Sequence, residues 1–199
     1  MSKSVKANVF NVKRIVYAVI TKDDSTAFNH GPIKEFGAPM QVQLTPSYAT
    51  GTLYGGGVKT EDMSKITGIA LKVDVNKVFI EVRADIYGHT YANGELITHE
   101  NDQAKEIAIG YEMESSGNHR EFVWLFKGKP KPFAKTVQQT TDNFNFSIDS
   151  IEIGFLFREH DGELKRDADT ANSDFTSEKA ATYLDTIPGG ELVTEPEPD

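Results

Sequence analysis

The chain has no cysteine, which excludes disulfides and thiol catalysis and makes assembly in a reducing compartment the simpler expectation. No apolar run approaches the roughly 20 residues of a membrane helix, and the opening MSKSVKANVF lacks the apolar core of a signal peptide. A soluble protein with no membrane partner, not secreted on its own signals, is therefore expected. The motifs of nucleotide and hydrolytic chemistry are missing as well: there is no GxGxxG, no P-loop, no GxSxG and no HExxH. Gly55, Gly56 and Gly57 are not followed by Lys and Ser or Thr at P-loop spacing and read as a flexible tip. The expectation is a protein with no catalytic residues, no cofactor and no metal.

A basic surplus is also lacking. The 199 residues hold 21 basic and 30 acidic side chains, a net charge of −9. Residues 159–199 contribute twelve acids and three bases, so residues 1–158 hold eighteen of each sign. Overall charge thus gives no sign of a nucleic-acid-binding surface. The one basic stretch, KGKPKPFAK at 127–135, reads as a solvated interstrand loop or, more sharply, as a contact for an acidic partner.

What the sequence has in quantity is alternation of apolar and polar residues with period two, the mark of half-buried strands. Ile15, Tyr17 and Val19 share one face of a first strand, and Met40, Val42 and Leu44 oppose Gln41, Gln43 and Thr45 in a second. Ile69, Leu71, Val73 and Val75 oppose Ala70, Lys72 and Asp74; Ile107, Ile109, Tyr111 and Met113 oppose Ala108, Gly110 and Glu112. EFVWLFK at 121–127 is apolar on both faces and should be the most covered strand. Its Trp124 stripe, with Phe122 and Phe126, reads as core rather than as a platform for sugars. A last pair is expected from NFNFSID at 143–149, with Phe144, Phe146 and Ile148 on one face, and IEIGFLFRE at 151–159, with Ile151, Ile153, Phe155 and Phe157. Six or more such strands make an antiparallel sandwich or partly open barrel the default.

Between residues 76 and 87 the period changes. Val78, Phe79, Val82 and Ile86 fall at helical spacing, with Asn76 as N-cap and Gly88 as the stop. This predicts one flanking helix over the sheet, and the core is expected to include Val73, Phe79, Val82, Trp124, Phe144, Phe146, Ile153 and Phe155. Residues 45–65 read as a long loop that nonetheless carries Tyr48, Leu53 and Tyr54, aromatic and apolar side chains that must bury against something. Beyond Arg158 the chain is polar, with a short helix expected in TSEKAATYLDT behind Thr176 or Ser177 and a disordered end. The division is therefore a β domain over 1–158 and an acidic extension over 159–199.

His89 and His99 flank GHTYANGELITH, close enough to raise the question of a metal site. Asn93-Gly94 favours a two-residue type I′ turn, which pairs Ala92 with Glu95, Tyr91 with Leu96 and Thr90 with Ile97. His89 and His99 then fall on opposite faces of the ribbon and share no ion.

Taken in order, NVKRIVYAVIT, the loop ending TGTLYGGG, VNKVFIEVRADIYGHTYANGELI, AIGYEMESSGNHREFVWLFKGKPKPF and NFSIDSIEIGFLF resemble the major tail protein, or tail tube protein, of long-tailed non-contractile bacteriophages, over about Asn11 to Arg158. The resemblance lies in order and spacing, not in a catalytic signature. It implies a β-sandwich with a flanking helix, assembled into hexameric rings that stack head to tail into a tube for DNA ejection. It implies a virion location after assembly in the host cytoplasm, and as partners the chain itself, the tape measure, tail terminator and distal tail proteins, with DNA as non-specific cargo. On that reading Gln41, Gln43, Lys72, Glu112, Asn143, Asn145 and Ser147 are lumen candidates, and Tyr48, Leu53 and Tyr54 reach a neighbouring ring. The rivals are a ring-forming tube of a tailocin or secretion system, a monomeric sandwich that binds carbohydrate or protein, and, least supported by the residues, an enzyme.

Overall fold

The computed structural model describes residues 8–55, 58–137, 139 and 147–193. In chain order its elements are β1 (Val9–Asp23), β2 (Phe28–His30), β3 (Lys34–Glu35), β4 (Pro39–Gly55), β5 (Val58–Val75), α1 (Ile80–Tyr87), β6 (Thr90–Ala92), β7 (Glu95–Ile97), β8 (Ile107–Ser115), β9 (His119–Pro130), β10 (Asp149–Leu156), β11 (Lys165–Asp169), α2 (Ser177–Thr182) and β12 (Glu191–Leu192). The protein is mainly β. Among the described residues ten strands form one sheet, ordered β12-β2-β1-β8-β9-β10-β5-β4, with β3 added beside β1 and β11 beside β9. All its pairings are antiparallel except that of β12 with β2, and β6 and β7 form a separate hairpin. Among the described residues no helix is long and apolar enough to cross a membrane.

The strand path curls until β1 touches β4, and the concave face collects the apolar members of the alternating rows. Ile15 and Tyr17, Ile69 to Val75 at every second position, Ile107, Ile109 and Tyr111, Val123 and Leu125, and Ile151, Ile153 and Phe155 form one buried cluster, closed by Val82, Ile86 and Tyr87 of α1. Burying each such side chain contributes about 1.5–3 kcal/mol. Five of the expected core residues, Val73, Val82, Trp124, Ile153 and Phe155, are buried; Phe144 and Phe146 lie outside the described residues.

The helix is shorter than expected. It begins at Ile80 behind Phe79, and it stops at Gly88 in a left-handed cap, φ 71°, as the sequence predicts. Asn76 does not cap it; its side chain accepts the next amide, that of Lys77, at 2.8 Å. Phe79 is not core but 49% exposed. Val78 takes the inward place, its N–H donating to Asp149 Oδ2 at 2.9 Å, and the extended backbone of Phe79 turns its ring outward beneath the Lys77 ammonium.

Of the expected terminal pair the second strand forms as β10, whereas residues 143–146 of the first lie outside the described residues. Asp149 and Ser150 are the first residues of β10, not a turn before it. Asp149 stands opposite Val75 in the inward row and is buried, while Ile148 is exposed, so the face assignment there is reversed. The Val78 amide and Lys135, 3.7 Å away, compensate the buried carboxylate. The basic stretch is likewise not all loop: Lys127 to Pro130 end β9, and Lys127 pairs with Asp23 at 2.8 Å and Glu159 at 2.9 Å.

The acidic extension is built into the body. Arg158, where the division was expected, is buried, its guanidinium 4.0 Å from the Phe126 ring centre and 4.8 Å from that of Phe28, and held by Asp161, Glu163 and the carbonyl of Pro188. From there β11 pairs with β9, and α2 starts at Thr176, whose hydroxyl accepts the Lys179 amide as the sequence predicts. Ala180, Leu184 and Ile187 land on Val16, Ala18, Phe122, Trp124 and Phe126, the convex face of β1 and β9. The indole N–H of Trp124 donates to the Tyr183 carbonyl at 3.0 Å. A second core thus makes β9 buried on both faces, which its two-sided apolarity predicts.

Candidate assembly surface

On the convex face the C-terminal segment covers β1, β8 and β9 but leaves β10, β5 and β4 open. The side chains there are the polar partners of the concave row, so the same alternation that builds the core builds this surface. Gln43 stands opposite Lys72 and Lys72 opposite Glu152; Gln41 stands opposite Asp74 and Asp74 opposite Ser150. Lys72 Nζ lies 3.7 Å from Asp74 Oδ1, and Lys131 reaches across to Glu152. Three of the expected lumen residues, Gln41, Gln43 and Lys72, are therefore brought together, all exposed. Ser147 is exposed just before β10. Asn143 and Asn145 lie outside the described residues.

Glu112 does not belong to this surface. It occupies the convex face of β8, is only 7% exposed, and lies 3.4 Å from Arg120. The alternation placed it on the correct face, but the chain's own C-terminal segment covers that half. Sequence reasoning passed over Asp74, Ser150 and Glu152; each alternates with a buried neighbour, and that signal was present in the same strands.

The segment expected as a loop at 45–65 is two long strands. β4 and β5 stay paired from Pro39 opposite Val75 out to Gly55 opposite Val58, with register shifts at Pro39/Gln41, Ser47/Tyr48 and Leu53/Tyr54. Four threonines and two tyrosines here favour extended backbone, a signal that the Gly and Ser content obscured. β10 pairs with β5 only from Val75 down to Ile69, so beyond that point the hairpin continues as a two-stranded arm. Residues 47–52 and 62–65 are all exposed, Tyr48 to 61% and Met63 to 66%. Leu53 and Tyr54 stand in β4 opposite Glu61 and Lys59; their side chains lie outside what is described.

The histidine question has a local answer. The Asn93-Gly94 turn has positive φ at both residues, and the pairs 90–97, 91–96 and 92–95 form as read from the sequence. His89 Nδ1 lies 2.7 Å from Asp102, which also accepts the His99 amide; these bonds hold the Asp102 carboxyl below its ordinary range. In a recess of about 380 Å³ beside β1, the Tyr17 hydroxyl donates to Asp85 at 2.9 Å and Lys34 Nζ lies 2.5 Å from the same oxygen. Burial, reinforced by Asp85, pushes the Tyr17 phenol far up, so it stays a neutral donor. Among the described residues no group of three His, Asp or Glu is placed to hold a metal ion.

The chain matches no model of a known protein family, and no curated protein matches it.

Proposed function

We propose that this protein is the repeating subunit of a phage tail tube, forming hexameric rings that stack into a conduit for DNA ejection. The observation that carries the reading is the arm. A two-stranded ribbon exposed on both faces is marginal in water and gains stability from a partner that covers it, and Tyr48 and Met63 supply apolar surface for such a contact. On this reading the curled sheet is the sandwich or partly open barrel of a tube subunit, and its uncovered convex half lines the bore.

The chemistry of that half supports a passage rather than a binding site. Each cation placed on a phosphate adds affinity through counterion release, which a conduit must avoid. Lys72 and Lys131 have Asp74 and Glu152 as partners, and Gln41, Gln43 and Ser150 are uncharged. The protein acts without catalysis or cofactor, with itself and the other tail proteins as partners.

The test is negative-stain electron microscopy of the purified protein over a concentration series, with sedimentation alongside. Hollow tubes or rings with sixfold end views are expected, and removal of residues 46–62 should leave a folded monomer that no longer polymerises. Tubes of normal appearance from the deleted protein would refute the role given to the arm.

A further inference from the structure

The recess of about 380 Å³ beside β1 takes no part in the surface assigned to assembly. β1, the turn between β2 and β3, α1, the residues before β8 and the end of β12 meet around it. Val19, Pro32 and Val193 give it apolar walls, and Gly31 lines it as well. A Cβ added at this buried glycine would meet only the Val19 carbonyl, at 3.7 Å, so Gly31 borders open space rather than packed side chains. Clefts that take small molecules hold about 300–1,000 Å³ and combine apolar walls with a few polar groups.

Three charged side chains line the recess, those of Lys34, Asp85 and Lys105. Asp85 Oδ2 accepts the Tyr17 hydroxyl at 2.9 Å and the Lys34 ammonium at 2.5 Å, whereas Oδ1 has no partner among the described residues. The phenol, its pKa pushed up by burial, stays protonated and holds the carboxylate in place. Lys105 is exposed, and its ammonium has no partner among the described residues. The acids next to the two lysines in sequence are engaged elsewhere: Glu35 binds Arg14, and Glu106 lies 3.9 Å from Lys127. Glu81, the other acid felt by Tyr17, accepts the Tyr91 hydroxyl. Two ammoniums against one carboxylate leave the lining with a surplus of positive charge.

We propose that this recess binds a small amphipathic carboxylate, its acid group on Lys105 and Lys34 and its apolar body against Val19, Pro32 and Val193. The site is independent of the tube reading. An ammonium–carboxylate hydrogen bond is stronger than a neutral one, and the apolar walls favour a body that an inorganic anion lacks. Two sources share this chemistry, a free aliphatic or aryl acid and the C-terminal residue of a peptide. Only the second brings an amide N–H to Asp85 Oδ1.

Saturation-transfer difference NMR observes the ligand and so works on monomers and assemblies alike. N-acetyl-phenylalanine, its C-terminal amide and 3-phenylpropionate are titrated against the whole chain. The better of the two acids should saturate with a Kd of about 1 mM or below, and the amide should bind about tenfold more weakly. Lys105→Gln should lose about tenfold in affinity, Lys179→Gln, exposed on α2, should lose none, and Gly31→Leu, checked for its fold by circular dichroism, should abolish binding. Because Lys105 is exposed, its variant tests the site even where Gly31→Leu does not fold. Tighter binding of N-acetyl-phenylalanine than of 3-phenylpropionate assigns the peptide source; equal or weaker binding assigns the free acid. Equal binding of acid and amide, unchanged binding by Lys105→Gln, or no saturation by either acid up to about 10 mM would overturn the site and leave the tube reading standing.

Discussion

Over β1, β8 and β9 the convex face of the sheet carries Val16, Ala18, Ala108, Phe122, Trp124 and Phe126, buried beneath residues 159–193, whereas over β10, β5 and β4 the same face carries Glu152, Lys72 and Gln43 in the open. One continuous sheet is finished within the chain on one half and left bare on the other. The covered half is built for stability, with aromatic contacts such as Phe122 with Tyr183 and a guanidinium between two phenyl rings. The bare half adds little to the fold, which leaves its residues available for function. The arm extends from the bare half, so the arm and the proposed passage surface both grow from the part of the sheet that the chain does not cover.

The largest break in this contrast should come from Arg158. Arg158→Met leaves Asp161 without its cation and Glu163 with Arg166 alone; losing one partner of a buried pair costs about 3–5 kcal/mol, and because these carboxylates are about a third exposed, the lower end is expected. Lys131→Met, which removes an exposed pair with Glu152, should change stability by less than about 0.5 kcal/mol. Urea midpoints at unchanged slope measure both. Equal losses would abolish the distinction between the halves.

Two glycines sharpen it. A Cβ at Gly110 would lie 2.8 Å from the Trp124 ring and 2.9 Å from Leu184, whereas one at Gly154 would meet nothing within 4 Å. Gly110→Ala should cost about 1–3 kcal/mol by overpacking the covered half. Gly154→Ala should stay within about 0.5 kcal/mol or stabilise slightly, since glycine is a poor strand residue. A destabilised Gly154→Ala protein would mean that the bare half is not bare.

Acid should produce the smallest effect, and part of it falls on the covered half. The Arg158 hydrogen bond holds the Asp161 carboxyl below its ordinary range against the cost of burial. Burial pushes Asp23 up, but Lys127 and the amides of Glu159 and His160 outweigh it and bring its carboxyl down. Carboxyls lowered in the folded state contribute stability that is present above their unfolded pKa of about 4 and is lost as pH falls through the folded value. The single tryptophan lies under the segment and reports on it. Its emission should shift to the red in acid before the far-ultraviolet strand signal declines; simultaneous loss would show segment and sheet to be one cooperative unit.

Much of the architecture was legible in short stretches of sequence. Ile69 to Val75 alternate and are buried on alternate positions; Phe122 to Phe126 are apolar throughout and buried on both sides; Asn93-Gly94 turns and Gly88 stops a helix. Each rests on backbone geometry that neighbouring residues decide. Gln41, Gln43 and Lys72 were legible as one outward row for the same reason.

Only the tertiary structure decided which outward rows stay outward. Glu112 alternates like Lys72, yet it is buried, beside Arg120, on the half of the sheet that a segment from the far end of the chain crosses, and no local pattern encodes that crossing. Asp149 goes inward and Phe79 outward because the Val78–Asp149 hydrogen bond, between residues 71 apart, sets the phase on both sides. The arm was read as a loop because composition reports the glycines and serines of 45–65, whereas its strand pairing depends on partners meeting across the hairpin. Alternation by itself determines that a strand has two faces; what covers each face is settled by contacts between parts of the chain that the alternation does not connect.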